Sequence, residues 1–127
     1  MEERWRKLVW NIPFNGLTIA AGGISTADIL RDDSLRSAAI ALMNEVIVGA
    51  KSCGYNLAMD IVLEQIKRTQ TMGAYKPSTL LDLEAGRAFE VEAIWGEPLR
   101  CAQAQGAAMP QLAQLYRHLK TLDARPE

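Results

Sequence analysis

The sequence predicts an all-α fold, a bundle of six or seven helices, and three observations support this prediction. Apolar residues recur every three or four positions along most of the 127-residue chain, which is the period of an amphipathic helix. Glycine, proline and small polar residues interrupt this pattern where helices would begin and end. No stretch shows the alternation of apolar and polar residues that is typical of a β-strand. The length suits one hydrophobic core, so we expect a single domain over residues 1–127.

The predicted helices follow one another with short interruptions. The first should be kinked at Pro13, because proline cannot donate the helical hydrogen bond. Residues 69–77 lack periodicity and are expected to form a loop, and Pro110 is expected at the first position of the last helix. Residues suited to N-caps precede three helices: Ser25 or Thr26, Asp32 or Asp33, and Ser78. The predicted ranges are 3–21, 26–30, 34–53, 56–68, 79–85 and 89–105, followed by the helix from residue 110, whose inward face is Leu112, Leu115, Tyr116, Leu119 and Leu122.

A line of four polar residues runs along the first helix, which is otherwise apolar all round. Lys7, Asn11, Asn15 and Thr18 stand at i, i+4, i+8 and i+11, within an arc of roughly 80° on a helical wheel. The line is either a strip that faces water, with Glu3 paired to Lys7, or the wall of an internal polar site. Lysine is seldom buried, which favours the first interpretation, but the pattern leaves both open.

The charge and hydropathy patterns exclude several classes of protein. The 14 basic and 15 acidic residues are well mixed and give a net charge of −1, so we expect no basic patch for nucleic acid. No apolar run approaches the roughly 20 residues of a membrane span, so we expect no membrane partner. The N-terminus MEERWRK begins with acidic residues, unlike a secretory signal, and we expect a cytoplasmic protein.

The cysteines and the histidine indicate neither a disulfide framework nor a metal site. Cys53 and Cys101 are far apart, outside any CxxC pattern and in helical contexts, so we expect buried free thiols rather than a disulfide. His118 is the one histidine of the sequence. Because metal sites are built from clusters of ligands, we expect no metal.

Two ordered blocks of the sequence resemble one known family. The run KLVWNIPFNGLT, with the pattern K-x3-N-x3-N, looks like the opening of the C-terminal domain of ketopantoate reductase (2-dehydropantoate 2-reductase). The block MGAYKPSTLLDLEAGRAFEVEAIWGEPLR resembles a later segment of that family, in which a serine is followed twelve residues later by a glutamate. The segment from Gly106 to Tyr116, with Pro110 before LAQLY, fits the closing helix of the family. The resemblance therefore spans essentially the whole chain.

The resemblance implies a fold and a reaction. Family members join an N-terminal Rossmann domain to an all-α domain related to that of 6-phosphogluconate dehydrogenase, and this chain corresponds to the all-α domain alone. The implied reaction is the reduction of ketopantoate to pantoate with NADPH, in pantothenate and coenzyme A biosynthesis. We expect NADPH to be bound mainly by a Rossmann domain, in the same polypeptide or from a split gene, because this chain has no glycine-rich phosphate-binding motif. The chain alone should be inactive.

The resemblance also implies a homodimer that pairs through the helical domain. We expect apolar groups beside the polar line, such as Leu8 and Phe14, to be uncovered without the nucleotide-binding domain. Exposed apolar patches of that kind favour association.

Five positions match residues that have roles in the family. Lys7 matches the catalytic lysine, the general acid for the developing alkoxide, and Glu90 matches the glutamate beside the hydroxyl group. Asn11 and Asn15 match asparagines of the substrate cleft, and Ser78 matches a serine that binds the substrate carboxylate. The chemistry suits these types, because hydride addition to a ketone generates an oxyanion that an ammonium group stabilises and protonates.

Helix chemistry offers simpler interpretations of some of these positions. Ser78 stands where a helix cap belongs, and Glu90 could complement a helix N-terminus in its first turn. Some family members carry a further substrate-binding asparagine after the first helix, where this sequence has GGIST with Ser25 near the position. The leading hypothesis is the substrate-binding, catalytic-lysine half of an oxidoreductase that acts on a small 2-oxo acid. The alternative is a stand-alone helical module that dimerises or binds a small acid without catalysis.

Overall fold

The structure, a computed structural model, describes residues 2–58, 60–87 and 89–123, and most of these residues are helical. Within these ranges it contains no β-strand, as the sequence predicts. α1, a π-helical turn and α2 form one continuous helix, and a second π-helical turn runs directly into α7. The described residues thus form seven continuous helices, which confirms the predicted number. The elements are α1 (Glu2–Trp10), the first π turn (Asn11–Asn15), α2 (Gly16–Ala20), α3 (Thr26–Arg31), α4 (Asp33–Ser52), α5 (Ile61–Gln70), α6 (Ser78–Glu84), the second π turn (Glu92–Gly96), α7 (Glu97–Ala104) and α8 (Pro110–Asp123).

The first helix is the centre of the bundle, because other helices pack on it from several sides. α4 packs against α1 and the first π turn, α8 packs against α2, and the two π turns contact each other. This explains why the first helix is apolar almost all round. The largest fully buried side chains are Trp95, Phe14, Ile12, Ile29, Met43, Leu80, Leu112 and Leu119.

The first helix passes Pro13 through a π-helical turn. Proline has no N–H group, and the wider π turn accommodates the interruption of the α-helical hydrogen-bond pattern. The indole N–H of Trp95, in the second π turn, donates to the carbonyl oxygen of Ile12 at 3.1 Å. Glycine at position 16 permits close packing, since a Cβ there would lie 2.6 Å from Cδ2 of Leu115 and 3.0 Å from the indole nitrogen of Trp95.

Two predicted N-caps are confirmed at atomic level. The Ser25 hydroxyl accepts from the backbone N–H of Asp28 at 3.2 Å, and the Asp28 carboxylate accepts from the backbone N–H of Ser25 at 3.1 Å. This reciprocal capping box begins α3. At α4, the Asp32 carboxylate accepts from the backbone N–H of Leu35 at 2.9 Å.

Three details of the predicted helices are wrong. α5 begins at Ile61 and not at Asn56. Leu57 lies in the preceding loop and is buried there, so its apolar side chain is not part of the helical pattern. Ser78 is not the cap of α6: Pro77 occupies the cap position, and Ser78 is the first helical residue. Leu122 is exposed near the end of α8, beyond the part of that helix that the core covers.

Two expectations about burial are also wrong. Cys53 is half-buried and Cys101 is exposed, because Cys101 lies on the outer side of α7 while its neighbour Ala102 faces the core. Leu8 and Phe14, expected to be uncovered, are both buried within the domain. Other helices of the same domain pack on the first helix, so these two side chains are covered without a second domain. No helix of the described residues is long and apolar enough to cross a membrane.

Candidate active site on the first helix

A cleft of about 400 Å³ opens between the first helix and α5. Its size falls within the range of small-molecule sites, roughly 300–1,000 Å³. One wall belongs to the last turn of α1 and the start of the first π turn, and the other to α5 and the loop that follows it. The lining residues are Arg6, Lys7, Trp10 and Asn11 on the first wall, and Gln65, Arg68, Met72 and Tyr75 on the second.

The aromatic floor of the cleft is fixed by hydrogen bonds and ring contacts. The indole N–H of Trp10 donates to the hydroxyl oxygen of Thr69 at 2.8 Å, which ties α1 to α5. The Trp10 ring stacks on Phe14 with centroids 5.2 Å apart and contacts Tyr75 at 6.3 Å. The loop that carries Tyr75 is fixed as well, because the carbonyl oxygen of Tyr75 accepts from the backbone N–H of Thr26 at 2.9 Å. The cleft therefore has a rigid base.

The charge of the cleft is positive. Arg6, Lys7 and Arg68 line it, and none of its described lining residues is acidic. Arg6 also reaches Glu2 at 3.5 Å, but both side chains are more than half exposed, so this ion pair leaves the cation largely available. A cluster of like charges with few counter-ions attracts small anions. The cleft is thus suited to an organic acid.

The polar line of the first helix is divided between solvent and core. Lys7 is exposed and Asn11 is half-buried, and both face the cleft. Asn15 and Thr18 are buried, and the Thr18 hydroxyl donates to the carbonyl oxygens of Phe14 at 2.8 Å and Asn15 at 3.0 Å. The interpretation of the line as solvent-facing therefore describes Lys7 and Asn11, and the interpretation of it as internal describes Asn15 and Thr18. A Glu3–Lys7 ion pair is not among those of the described residues.

Asn15 connects the first helix to the start of α6. It is 6% exposed, and its side-chain N–H group donates to the hydroxyl oxygen of Thr79 at 3.3 Å. Its side-chain carbonyl oxygen is buried and has no hydrogen-bond partner. Thr79 directly follows Ser78, so this bond fixes the position of Ser78 relative to the first π turn. The hydrogen bond to Thr79 therefore connects the first π turn to the first turn of α6.

Ser78 and Glu90 are exposed and do not line the cleft. The Ser78 side chain makes no capping bond, so the capping interpretation does not apply and its hydroxyl is available. Glu90 directly precedes the helical residues, and its carbonyl oxygen accepts from the backbone N–H of Ile94 at 3.2 Å. The structure brings Lys7 and Asn11 together, links Asn15 to the neighbour of Ser78, and leaves Glu90 outside the cleft.

Ser25 is occupied by its structural role. Besides capping α3, its hydroxyl donates to the Asp28 carboxylate at 3.1 Å. The backbone N–H and the hydroxyl of Ser25 hold the pKa of Asp28 below its ordinary value.

Sequence reasoning missed the second wall of the cleft. Gln65 and Arg68 stand at i and i+3 on one face of α5, and this spacing is the signal that could have identified them, whereas Met72 lies beyond the end of that helix. Like Asn15, Gln65 has a buried side-chain carbonyl oxygen without a partner. Tyr75 lies in a loop, where the sequence has no periodic pattern that would predict a cleft residue.

A polar network at the second π turn lies away from the cleft. Glu92 accepts from the Tyr116 hydroxyl at 2.7 and 2.8 Å and from Arg100 at 2.8 Å. The Tyr116 hydrogen bond first, and Arg100 second, lower the pKa of Glu92 from its ordinary value. This network joins the second π turn to α7 and α8, and its role is structural.

The chain is similar to known proteins over nearly its whole length. Residues 1–123 match the family described as "Ketopantoate reductase PanE/ApbA C terminal". A 2-dehydropantoate 2-reductase of Nostoc sp. is 42% identical over 122 residues, which are 96% of this chain and 38% of that protein. This chain therefore belongs to the ketopantoate reductase family and corresponds to its C-terminal helical domain. It spans about two fifths of the length of that relative.

Solved structures agree with this assignment. The 2-dehydropantoate 2-reductase of Methylococcus capsulatus superimposes with a TM-score of 0.90 at 37% identity, over 95% of this chain and 38% of that one. A ketopantoate reductase of Staphylococcus aureus, described as dimeric, gives a TM-score of 0.83 at 26% identity, over 94% of this chain and 42% of that one.

Proposed function

We propose that this domain is the substrate-binding half of an NADPH-dependent 2-dehydropantoate 2-reductase and that it carries the catalytic lysine. The observation that carries the proposal is the cleft itself, where Lys7 and Asn11 lie together among cations and no described lining residue is acidic. A small 2-oxo acid is anionic, and the positive cleft attracts it. The match of the whole domain to 2-dehydropantoate 2-reductases supports the substrate class.

In this proposal Lys7 protonates the product oxygen. When a hydride adds to the ketone carbon of ketopantoate, the two electrons of the C=O π bond move to the oxygen. The ammonium group of Lys7 stabilises this oxyanion and donates the proton that completes the hydroxyl group. Because Lys7 is exposed in this domain alone, its side chain is free to move towards a bound substrate.

The other matched residues orient the substrate in this proposal. Asn11, beside Lys7 in the cleft, hydrogen-bonds the reacting oxygen without adding charge. Ser78 binds the carboxylate, and Asn15 supports Ser78 by holding the neighbouring Thr79. Glu90, which lies outside the cleft of this domain, is assigned to the hydroxyl group on the family resemblance alone.

NADPH supplies the hydride when it is bound. Because none of the described cleft residues is acidic, the cleft carries no charge that would repel the phosphate groups of such a cofactor. We assign the nucleotide-binding contacts to a Rossmann domain and none to this chain.

A chimeric enzyme tests the proposal. The corresponding C-terminal domain of the Nostoc reductase, 42% identical, is replaced by this chain, and ketopantoate-dependent NADPH oxidation is followed by absorbance. We expect an active chimera in which Lys7→Ala lowers kcat by roughly 10²–10⁴-fold, the usual effect of losing a general acid. Lys7→Arg should remain defective, because arginine keeps the charge but does not release a proton.

The matched control is Lys51→Ala, which removes an exposed lysine of α4 that does not line the cleft. It should leave kcat unchanged. Near-normal turnover of the Lys7→Ala chimera would exclude Lys7 as the general acid. An inactive but folded wild-type chimera would favour a non-catalytic acid-binding module.

Homodimer formation is a further part of the proposal, supported by the dimeric relative of Staphylococcus aureus. Size-exclusion chromatography with light scattering on the chain should give twice the monomer mass of 14.0 kDa. A monomer at high concentration would exclude pairing through this domain alone.

A further inference from the structure

The two cysteines of the chain meet at the surface, although 48 positions separate them in the sequence. Their sulfur atoms lie 2.7 Å apart, and both thiols are free. Cys53 is the C-cap of α4, and Cys101 lies within α7. No motif in the sequence predicts this pair, because neither cysteine belongs to a recognisable pattern.

Small residues explain why the two helices come this close. Gly49 lies one turn before Cys53 on α4, and a Cβ there would be 3.3 Å from the Cβ of Ala102, the neighbour of Cys101. Such a close approach brings short cysteine side chains within bonding reach. The backbone of Cys53 is held in place, because its N–H group donates to the carbonyl oxygens of Gly49 and Ala50, both at 3.1 Å.

The pair is accessible from solvent. Cys101 is exposed and Cys53 is half-buried, so a small oxidant can reach the sulfur atoms without unfolding the domain. A shallow cleft of about 160 Å³, lined by Cys101 with Trp5 and Leu8 of α1, opens beside them. This distinguishes the pair from buried cysteines, which are inert.

We propose that Cys53 and Cys101 are a redox site that forms a reversible intramolecular disulfide with peroxide as the oxidant. The thiolate of one cysteine attacks an oxygen of hydrogen peroxide, which breaks the O–O bond and gives a sulfenic acid and one water molecule. The second sulfur then displaces the sulfenic oxygen as another water molecule and forms the S–S bond. The two thiols together lose two electrons and two protons, and the peroxide takes up both.

The surroundings indicate the order of these steps. A hydrogen bond with Cys53, followed by partial burial, raises the pKa of Cys101 above its ordinary value. A raised pKa lowers the thiolate fraction of Cys101, which suits Cys101 to the second step rather than the first. Cys101 then acts as the resolving thiol. Its sulfur atom already lies 2.7 Å from that of Cys53, so the helices need not move for the second step.

The bond would join the end of α4 to α7, two helices that pack on each other beside the central first helix. A cross-link over a long loop restricts the unfolded chain more than the folded one. Oxidation should therefore stabilise the domain without moving its helices.

The test uses the purified 127-residue chain, reduced with dithiothreitol and then treated with hydrogen peroxide. Thiol titration under denaturing conditions should fall from two thiols per chain to none. Trypsin should release peptide 52–67 linked to peptide 101–117, and the protein should remain monomeric on a non-reducing denaturing gel. The melting temperature should rise by roughly 5–15 °C, as expected for closing a loop of this length, and dithiothreitol should reverse the change.

Cys53→Ser and Cys101→Ser serve as matched controls. Each removes one partner, so neither should gain thermal stability from peroxide. Two outcomes would overturn the proposal: two thiols that remain titratable in the folded wild-type chain, or links that form only between chains. Because the decisive measurements use the wild-type chain, they stand even if a serine variant is unstable.

Discussion

Two sides of the first helix differ in what their side chains contact. On the side that faces α4 and the second π turn, Val9 and Ile12 are fully buried, and the Ile12 carbonyl oxygen accepts from Trp95. On the side that faces α5, Lys7 and Asn11 border an open, positively charged cleft. One helix therefore serves as the core of the bundle and as the wall of the candidate site. A site placed on such a rigid element keeps its geometry, which catalysis requires.

The packed side is stabilised by polar contacts as well as by burial. The Glu45 carboxylate of α4 accepts from the backbone N–H groups of Gln111 at 2.7 Å and Leu112 at 2.9 Å, at the start of α8. These N–H groups have no partner within their own helix, so Glu45 satisfies them from outside. On the cleft side, by contrast, Gln65 lines the cleft and its buried side-chain oxygen has no hydrogen-bond partner in the protein. The polar groups on the packed side are thus hydrogen-bonded within the protein, whereas a buried polar group on the cleft side is not.

The largest expected effect on stability separates the two sides directly. Leu112→Ala empties space in the core, where the leucine is fully buried, and should lower the free energy of unfolding by about 2–5 kcal/mol. Met72→Ala, at the half-buried edge of the cleft, should cost less, about 1 kcal/mol or below. Urea unfolding measures both values. Equal losses would mean that the cleft side contributes to the core as much as the packed side.

Ser78→Ala should have an intermediate effect, and on binding rather than on folding. In the active chimera it should raise KM by roughly 10–100-fold, because a hydrogen bond to a carboxylate is worth about 1.5–3 kcal/mol and is made in ground and transition states alike. Steady-state kinetics with ketopantoate provide the measurement, and Ser34→Ala, on α4, is the matched control. A change confined to kcat would remove Ser78 from the substrate-binding residues.

The smallest effect concerns pH and the network at the second π turn. The lowered pKa of Glu92 means that its ionised form stabilises the folded state above pH 4.5, the ordinary value, and that this contribution is lost as pH falls through the lowered pKa. Tyr116→Phe removes the largest cause of the shift. The difference in melting temperature between wild type and this variant should therefore be greatest near neutral pH and shrink below about pH 4.

Tyr55→Phe is the control for this pH dependence, since no carboxylate partner of Tyr55 is among the hydrogen bonds of the described residues. Its effect should not vary with pH. A Tyr116→Phe effect that is constant from neutral to acidic pH would contradict the assigned role of Glu92.

The sequence predicted the features that depend on local chemistry. Ser25 and Asp32 cap helices because their side chains bond neighbouring N–H groups, and the interruption at Pro13 follows from its missing N–H. The predicted beginning of α5 was wrong because Leu57 is buried although it lies in a loop. Such tertiary packing cannot be recognised from the periodicity of the sequence.

The residues of the candidate site likewise divide into those that a local pattern predicts and those that depend on tertiary packing. Lys7 and Asn11 were found because a motif and a helical spacing mark them together. Arg68 and Tyr75 were missed because they join the cleft only when α5 and its loop fold against α1. The Cys53–Cys101 pair was missed for the same reason, since a contact between residues 48 positions apart depends on how α4 and α7 pack.

The most direct test of the site is to observe where the domain binds the anion. Titration of the isotope-labelled chain with pantoate, followed by NMR, should shift the signals of Lys7, Asn11 and Arg68 most strongly, and Lys7→Ala should weaken the binding. Signals of α4, α7 and α8 away from the cleft should not move. Shifts centred on those helices, or none at millimolar pantoate, would contradict the assignment of the cleft between the first helix and α5 as the substrate site.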